Sequence, residues 1–260
     1  MLSSEKIKLK NGRSWQIYSA GKGAELVWLH GLSGVHAVDP AIEALAQNYR
    51  VVAPLAPGFN DRAELDQIVD IHDLVLDYDD LLEELQLDRL PLVGHSFGAM
   101  LAAELAAHYP RRPSKLVLIS PLGLWNDAYP VADIFAQPYL QVENFLWHDT
   151  SARDRLAAQQ SEGQNQAERI IAIAQGLTAV TKFIWPIPDK GLRRRLPRIK
   201  APTMIVLGAE DQFVPPAYAH DFAAGIAGIQ SLVVPGAGHM LPYEKPEEVM
   251  SAVRRFLSAK

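Results

Sequence analysis

The sequence predicts an α/β domain built on a doubly wound, mostly parallel sheet with helices on both faces. Apolar runs of strand length alternate with segments of helical periodicity along most of the 260 residues. Several of these runs are almost continuously apolar, which is typical of strands that are buried on both faces. Chemistry-bearing residues follow the ends of these strands, where open sheets of this kind bind ligands.

The first half of the chain predicts a hairpin followed by alternating strands and helices. Two strands of alternating polar and apolar residues are joined at Asn11-Gly12, a pair typical of hairpin turns, and a third, mostly apolar strand ends at His30. Helix, strand, helix and strand are then predicted, in order, for VDPAIEALAQ, YRVVAPL, IVDIHDLVLDYDDLLEELQL and RLPLVGH. FGAMLAAELAAHYP predicts a helix that ends at Pro110.

The second half of the chain continues the alternation after one interruption. SKLVLIS, APTMIVLGAED and IQSLVVPGAGHM predict strands, and PPAYAHDFAAGI and KPEEVMSAVRRFLSAK predict helices. Residues 122–196 carry no convincing strand and read as short helices separated by prolines. We therefore expect a core domain formed by residues 1–121 and 197–260, with residues 122–196 inserted as a helical cap.

Composition excludes several classes of function. The net charge is −5, and the one basic run, GLRRRLPRIK, predicts a solvated helix end, so we expect no nucleic-acid partner. The chain has no cysteine, which removes disulfides and thiolate chemistry. No apolar window is long enough for a membrane span, and no hydrophobic signal core opens the chain. We expect a cytoplasmic protein whose partner is a small-molecule substrate.

The segment VGHSFGAM places Ser96 between Gly94 and Gly98 in a G-x-S-x-G pattern. The predicted context is strand, turn, helix, which holds such a serine on a sharp turn. The glycines are expected because a side chain at either position would collide with the neighbouring strand or helix. Ser96 is therefore the candidate nucleophile.

A serine hydroxyl needs a histidine to accept its proton and a carboxylate to orient that histidine. Asp211 and His239 follow the last two predicted strands, giving the chain order Ser, Asp, His. Asp127, which follows an earlier strand, is the reserve acid. The remaining histidines lack ligand spacing, so we expect no metal site.

Two backbone N–H groups are expected to stabilise a developing oxyanion. The N–H of Phe97 lies at the start of the helix after Ser96, and that of Leu32 follows Gly31 in LHGLSG. His30, in the same segment, is expected to tether its own loop.

In LHGLSG, APGFND, VGHSFGAM, LGAEDQFVPP and PGAGHMLPYEKPEEV, and in their order, the sequence resembles the α/β-hydrolase fold family, in its lid-bearing branch of esterases and carbon–carbon bond hydrolases. The resemblance implies Ser96 as nucleophile, His239 as base, Asp211 as acid, and Leu32 and Phe97 as oxyanion donors. It implies no cofactor.

We expect a serine hydrolase that cleaves carboxylic esters of small to medium hydrophobic or aromatic substrates through an acyl-enzyme. Trp125, Phe135 and Trp147 are the candidate substrate contacts. Carbon–carbon hydrolysis of diketones is the alternative, but it requires basic groups for the acid groups of the substrate, and near the site the sequence offers only Arg62. A binding or receptor protein without turnover is the alternative of another class.

Overall fold

The computed structural model describes residues 2–160 and 166–259. Eight strands form one sheet in the order β1-β2-β4-β3-β5-β6-β7-β8, where β1 is Ser3–Lys8, β2 Ser14–Ala20, β3 Glu25–Leu29, β4 Arg50–Pro54, β5 Leu90–His95, β6 Pro113–Ile119, β7 Thr203–Gly208 and β8 Gln230–Val234. The pairs β1–β2 and β2–β4 are antiparallel, and the other five pairs are parallel. The predicted mostly parallel sheet is confirmed.

The described residues form the helices α1 Pro40–Leu45, α2 Ile71–Glu84, α3 Phe97–His108, α4 Tyr139–Leu146, α5 Thr150–Gln160, α6 Gln166–Ile184, α7 Leu192–Arg195, α8 Tyr218–Gly225, α9 Leu241–Glu244 and α10 Pro246–Ser258. One apolar cluster packs α2, α3 and α8 against the sheet, and the other packs α1 and α10 against the opposite face. The sheet is therefore doubly wound, as predicted.

The strand sequences explain why the central sheet is buried on both faces. Leu26 and Trp28 of β3 belong to the cluster on one face, and Val27 and Leu29 belong to the other, because successive side chains of a strand point to opposite faces. All four are fully buried. A polar side chain at any of these positions would lose its contact with water, so the run is continuously apolar.

The N-terminal hairpin is attached to the core through α2. Its turn is closed by a hydrogen bond from Leu9 N to Arg13 O of 2.8 Å. The Arg13 guanidinium pairs with the buried Asp77 carboxylate. The rings of Trp15 and Tyr78 meet edge to face with their centroids 4.7 Å apart.

The segment between β6 and β7 contains no strand among the residues that the structure describes. Within residues 122–196, hereafter the insertion, the structure has the helices α4 to α7, and residues 161–165 lie outside the described ranges. These helices agree with the helical character predicted for residues 122–196. No helix in the described part of the chain is long and apolar enough to cross a membrane.

The basic run at the end of the insertion corrects one expectation. Arg193 and Arg194 are exposed, as a solvated helix end requires. Arg195, however, donates from Nε and Nη2 to the fully buried Glu104 carboxylate at 2.8 and 2.6 Å. The prediction failed here because Glu104 needs a cation inside the core, and nothing local to either segment reveals that pairing.

Candidate active site

Ser96 lies on a strained turn between β5 and α3. Its backbone has φ 56° and ψ −118°, outside the regions that L residues ordinarily occupy. A Cβ at Gly94 would lie 2.4 Å from the Gly98 carbonyl oxygen, and a Cβ at Gly98 would lie 2.1 Å from the Leu29 carbonyl oxygen. Both glycines are therefore required by the close approach of backbone to backbone.

The structure brings Ser96, His239 and Asp211 together in one hydrogen-bonded chain. His239 Nε2 lies 2.7 Å from Ser96 Oγ, and His239 Nδ1 lies 2.9 Å from Asp211 Oδ2. Because the carboxylate only accepts, the ring proton belongs on Nδ1, which leaves Nε2 free to accept the serine proton. All three side chains are buried.

The Asp211 carboxylate is held by further donors. Its Oδ1 accepts from the N–H groups of Phe213 and Val214 at 2.9 and 2.8 Å. Its Oδ2 accepts from Ser120 Oγ at 2.9 Å. Sequence reasoning missed Ser120, although its position at the end of the apolar run SKLVLIS places it at the same edge of the sheet as Ser96. With these partners, the carboxylate is fixed in the orientation that meets the His239 ring.

The reserve acid, Asp127, lies elsewhere. Its side chain is exposed, and its Oδ1 accepts from Trp125 Nε1 at 2.7 Å. The structure therefore joins Asp211, rather than Asp127, to His239.

The backbone N–H groups of Leu32 and Phe97 are the predicted oxyanion donors. Phe97 is the first residue of α3, so its N–H has no carbonyl partner in a preceding helical turn. Neither N–H donates to an acceptor among the residues described here, although Leu32 and Phe97 are both buried. Such groups are available to bind a negatively charged oxygen.

Two more buried histidines hold the loops around the serine. His30 Nε2 accepts from Ala56 N at 2.9 Å, so its proton is on Nδ1 and is donated to Gly31 O at 2.8 Å. His95 Nε2 donates to the carbonyl oxygen of His239 at 2.9 Å. Burial lowers the pKa of His30 to about 4 and that of His95 to about 3, so both rings are neutral at pH 7. The contact of His95 with the His239 loop is absent from the sequence reading.

A cavity of about 120 Å³ is lined by the sequence neighbours of two site residues, but not by Ser96, Asp211 or His239 themselves. Ser33, which follows Leu32, and Met240, which follows His239, line its core side, and Trp147 lines the insertion side. Trp125 and Phe135 do not line this cavity or any of the other described cavities, and they pack against the apolar cluster around α3. Their role in substrate binding remains a prediction.

The polar lining of this cavity comes from the insertion and the core alike. The insertion supplies Glu143, Arg153 and Gln160, and the core supplies Ser33, His36 and Tyr243. Burial lowers the pKa of His36, which favours its neutral form. Arg62, the basic group expected near the site, lines a separate cavity between its own loop and α6. The sequence reading missed Arg153 because helix packing inside the insertion decides where it points.

These strand-end residues and this fold define a hydrolase: the chain belongs to the alpha/beta hydrolase family, whose model matches residues 26–252. Over 92% of this chain and 89% of the relative, it is 27% identical to 2-hydroxy-6-oxo-6-phenylhexa-2,4-dienoate hydrolase of Burkholderia cepacia. It is 28% identical, with the same coverage, to the 2-hydroxy-6-oxononadienedioate/2-hydroxy-6-oxononatrienedioate hydrolase of Comamonas testosteroni. The solved serine hydrolase of carbazole degradation, CarC, superposes with a TM-score of 0.78 at 21% identity, covering 100% of both chains. The expected family is confirmed.

Proposed function

We propose that this protein is a serine hydrolase in which Ser96 is the nucleophile, His239 the general base and Asp211 the residue that orients it. One observation carries the proposal: the unbroken chain of hydrogen bonds from Ser96 Oγ through both ring nitrogens of His239 to Asp211. These three residues follow β5, β7 and β8 at the carboxyl ends of the strands, and Met240, next to His239, lines a cavity.

The proposed reaction has two halves. His239 Nε2 takes the Ser96 proton as Oγ attacks the substrate carbonyl carbon, and the N–H groups of Leu32 and Phe97 hold the oxyanion. The oxyanion collapses, the bond to the leaving group breaks, and protonated His239 returns the proton to that group. Water, deprotonated by His239, then attacks the acyl-enzyme, and Ser96 is released with its proton restored.

For the bond that is cleaved, we favour a carbon–carbon bond next to a ketone, in a substrate that also carries a carboxylate. The two curated relatives described above bear the names of hydrolases of oxo-dienoates or oxo-dienedioates. A carbon leaving group departs as a carbanion and must be stabilised as an enolate. Cationic or polar residues that bind the substrate carboxylate assist this stabilisation. Arg153 and Gln160 are candidates for that contact because they line the same cavity as Met240, the neighbour of His239.

Ester hydrolysis is the second candidate, and the surroundings of Arg153 favour it. The Arg153 guanidinium lies 3.0 Å from Glu143 Oε2 and 2.8 Å from Asp154 Oδ1, so its charge is already compensated before any substrate binds. An alkoxide leaving group needs only the proton of His239 and the oxyanion donors.

In either reaction, we propose that the insertion acts as a cap. Trp147, Glu143 and Arg153 form the outer wall of the cavity, whereas the nucleophile and base come from the core. Substrate choice is then a property of the insertion, and bond cleavage is a property of the strand ends.

The test compares kcat/KM for a 2-hydroxy-6-oxo-dienoate with kcat/KM for p-nitrophenyl esters of increasing chain length. Carbon–carbon hydrolysis predicts the larger value for the dienoate, and a larger value for any ester would select the second candidate. Ser96→Ala is expected to lower kcat for the preferred substrate by about 10⁴-fold or more and to abolish labelling by a fluorophosphonate. A folded wild type without turnover or labelling would instead indicate a binding protein.

A further inference from the structure

The loop that carries His239 is held through its backbone on both sides. On the core side, Ala237 N donates to Glu210 Oε2 at 3.0 Å, and His239 O accepts from His95 at 2.9 Å. On the other side, Met240 N donates to the carbonyl oxygen of Leu146, at the end of α4, at 3.0 Å. The insertion therefore contacts the residue next to the proposed base.

Glu244 adds a second connection to the insertion. Its buried carboxylate accepts from Gly238 N through Oε1 at 3.1 Å. Through Oε2 it accepts from His148 N and Asp149 N at 3.2 and 2.8 Å. One carboxylate thus joins the loop before His239 to the link between α4 and α5.

We infer that Glu244 is a positioning residue that couples the seating of the insertion to the placement of His239, an inference that rests on the proposed role of His239 as base. Glu244 touches none of the reacting groups, so its effect passes through the backbone of residues 237–240. When residues 146–149 move, both Gly238 and Met240 lose a partner. The base is then aligned with Ser96 only when the insertion is seated.

The chemistry of this connection requires a carboxylate. Three N–H groups converge on Glu244, and an ionised carboxylate accepts at both oxygens without presenting a donor. The approach is also close, since a Cβ at Gly238 would lie 2.8 Å from His148 N and 3.1 Å from Glu244 Oε1. Both the charge at position 244 and the missing side chain at position 238 are needed.

Glu244→Gln is the sharpest variant because it preserves shape. Whichever way the amide turns, its NH₂ group faces an N–H donor, so either Gly238 or the pair His148 and Asp149 loses its acceptor. Gly238→Ala disrupts the same contact from the side of the His239 loop. It replaces Glu244→Gln in the test if that variant does not fold. Glu64→Gln is the matched control, since Glu64 also clamps a loop backbone, accepting from Gly58 N at 3.1 Å.

Amide hydrogen exchange of the full-length chain, measured by mass spectrometry on peptides that span 146–149 and 237–240, tests the coupling without relying on activity. In Glu244→Gln, both segments are expected to exchange faster than in wild type, and in Glu64→Gln neither is expected to change. Faster exchange in only one segment, or in neither, would overturn the inference.

The catalytic readout separates positioning from a structural role. Glu244→Gln is expected to lower kcat by up to about a hundredfold with little change in KM, because the base is misplaced while the cavity wall persists. An unchanged kcat would overturn the coupling, whereas absence of turnover in wild type with coupled exchange would overturn the proposed function alone.

Discussion

The turn that carries Ser96 and the insertion that faces it are held in place by different kinds of contact. At the turn, backbone meets backbone: Gly94 packs on Gly98, and Gly98 packs on Leu29, at distances that exclude any side chain. Among the described residues, the insertion has only isolated backbone bonds to the core, such as that from Met240 to Leu146, and side chains from distant parts of the chain also hold it. The rings of Phe97 and Phe183, for example, are stacked with centroids 5.6 Å apart.

This difference suits the proposed division of roles, in which the strand ends cleave the bond and the insertion selects the substrate. Contacts between adjacent strands and their turns fix Ser96, the proposed nucleophile, so little rearrangement is possible there without loss of the sheet. Side chains of the insertion helices shape the outer wall of the cavity. Substitutions at strand ends are therefore expected to change kcat, and substitutions of cavity-lining side chains of the insertion, away from the contacts with the His239 loop, are expected to change KM.

The largest expected effect compares two aspartates, one from each region. Asp211→Asn leaves His239 without its carboxylate and favours the wrong tautomer, so kcat is expected to fall by about 10⁴-fold by analogy with other triads. Asp127→Asn keeps an acceptor for Trp125 at the exposed surface, so kcat is expected to stay within about twofold of wild type. Steady-state kinetics of both variants measure the two kcat values. A larger loss of kcat in Asp127→Asn than in Asp211→Asn would assign the acid to the insertion.

The second prediction concerns the loss of folding stability at acid pH, which we attribute to two buried histidines in the core loops. The folded-state pKa values of His30 and His95 lie near 4 and 3, below the ordinary value of 6.5. The unfolded chain therefore binds more protons below pH 6.5, and stability present above that pH is lost as the pH falls. At pH 5, each histidine lowers the free energy of unfolding by about 2 kcal/mol relative to pH 7.

Asp39 provides the matched comparison because its shift has the opposite sign. Burial raises the pKa of Asp39 from 3.8 to about 6, so the folded state binds the proton first and gains stability as the pH falls below 6. Asp39→Asn removes this offset, and its unfolding free energy is expected to fall more steeply between pH 7 and pH 5 than that of wild type. Urea unfolding at both pH values measures the slopes, and parallel slopes would contradict the assignment.

A smaller effect is expected at Ser120, which holds Asp211 from the neighbouring strand end. Ser120→Ala removes one of the donors to Oδ2 but leaves His239 and the two N–H groups on the carboxylate. kcat is expected to fall by about tenfold, the value of one hydrogen bond to a charged group. Ser120→Thr retains a hydroxyl and tests whether the hydroxyl itself is needed; equal activity of Ser120→Ala and wild type would show that Asp211 is oriented without it.

The sequence was informative where neighbours in sequence determine the structure. Alternation of strands and helices predicted the sheet, and residues directly after strands predicted Ser96, Asp211 and His239 as one group, since parallel strands end at one edge. Their catalytic roles stay predictions until the variants are measured. Glycine spacing predicted the turn because one of its close approaches, that of Gly94 to Gly98, lies within five residues, whereas the approach of Gly98 to Leu29 joins distant parts of the chain.

The sequence was silent where distant segments meet. Arg153 in the cavity wall, Glu244 beneath the insertion and the pairing of Arg195 with Glu104 each depend on how helices of the insertion pack on the core. No local pattern encodes such packing, because a charged residue on a helix reads the same whether it faces water or a cavity. For Arg62 the sequence predicted a wrong position: Arg62 was expected near the site but lines another cavity.

The smallest expected effect distinguishes two tryptophans of the insertion that the sequence treats alike. Trp147 lines the cavity, with its ring centroid 6.5 Å from that of Tyr243, whereas Trp125 donates to exposed Asp127. Trp147→Phe keeps an aromatic ring but removes part of the wall, so KM is expected to change by about threefold to tenfold, since a few lost apolar contacts are worth about 1 kcal/mol. Trp125→Phe is the control and is expected to leave KM unchanged. Steady-state kinetics across substrates of increasing chain length measures both, with kcat expected to stay near wild type. Equal shifts in KM for the two variants would mean that the cavity beside Met240 is not the substrate pocket, and the separation between strand-end chemistry and insertion-based selection would then lose its structural basis.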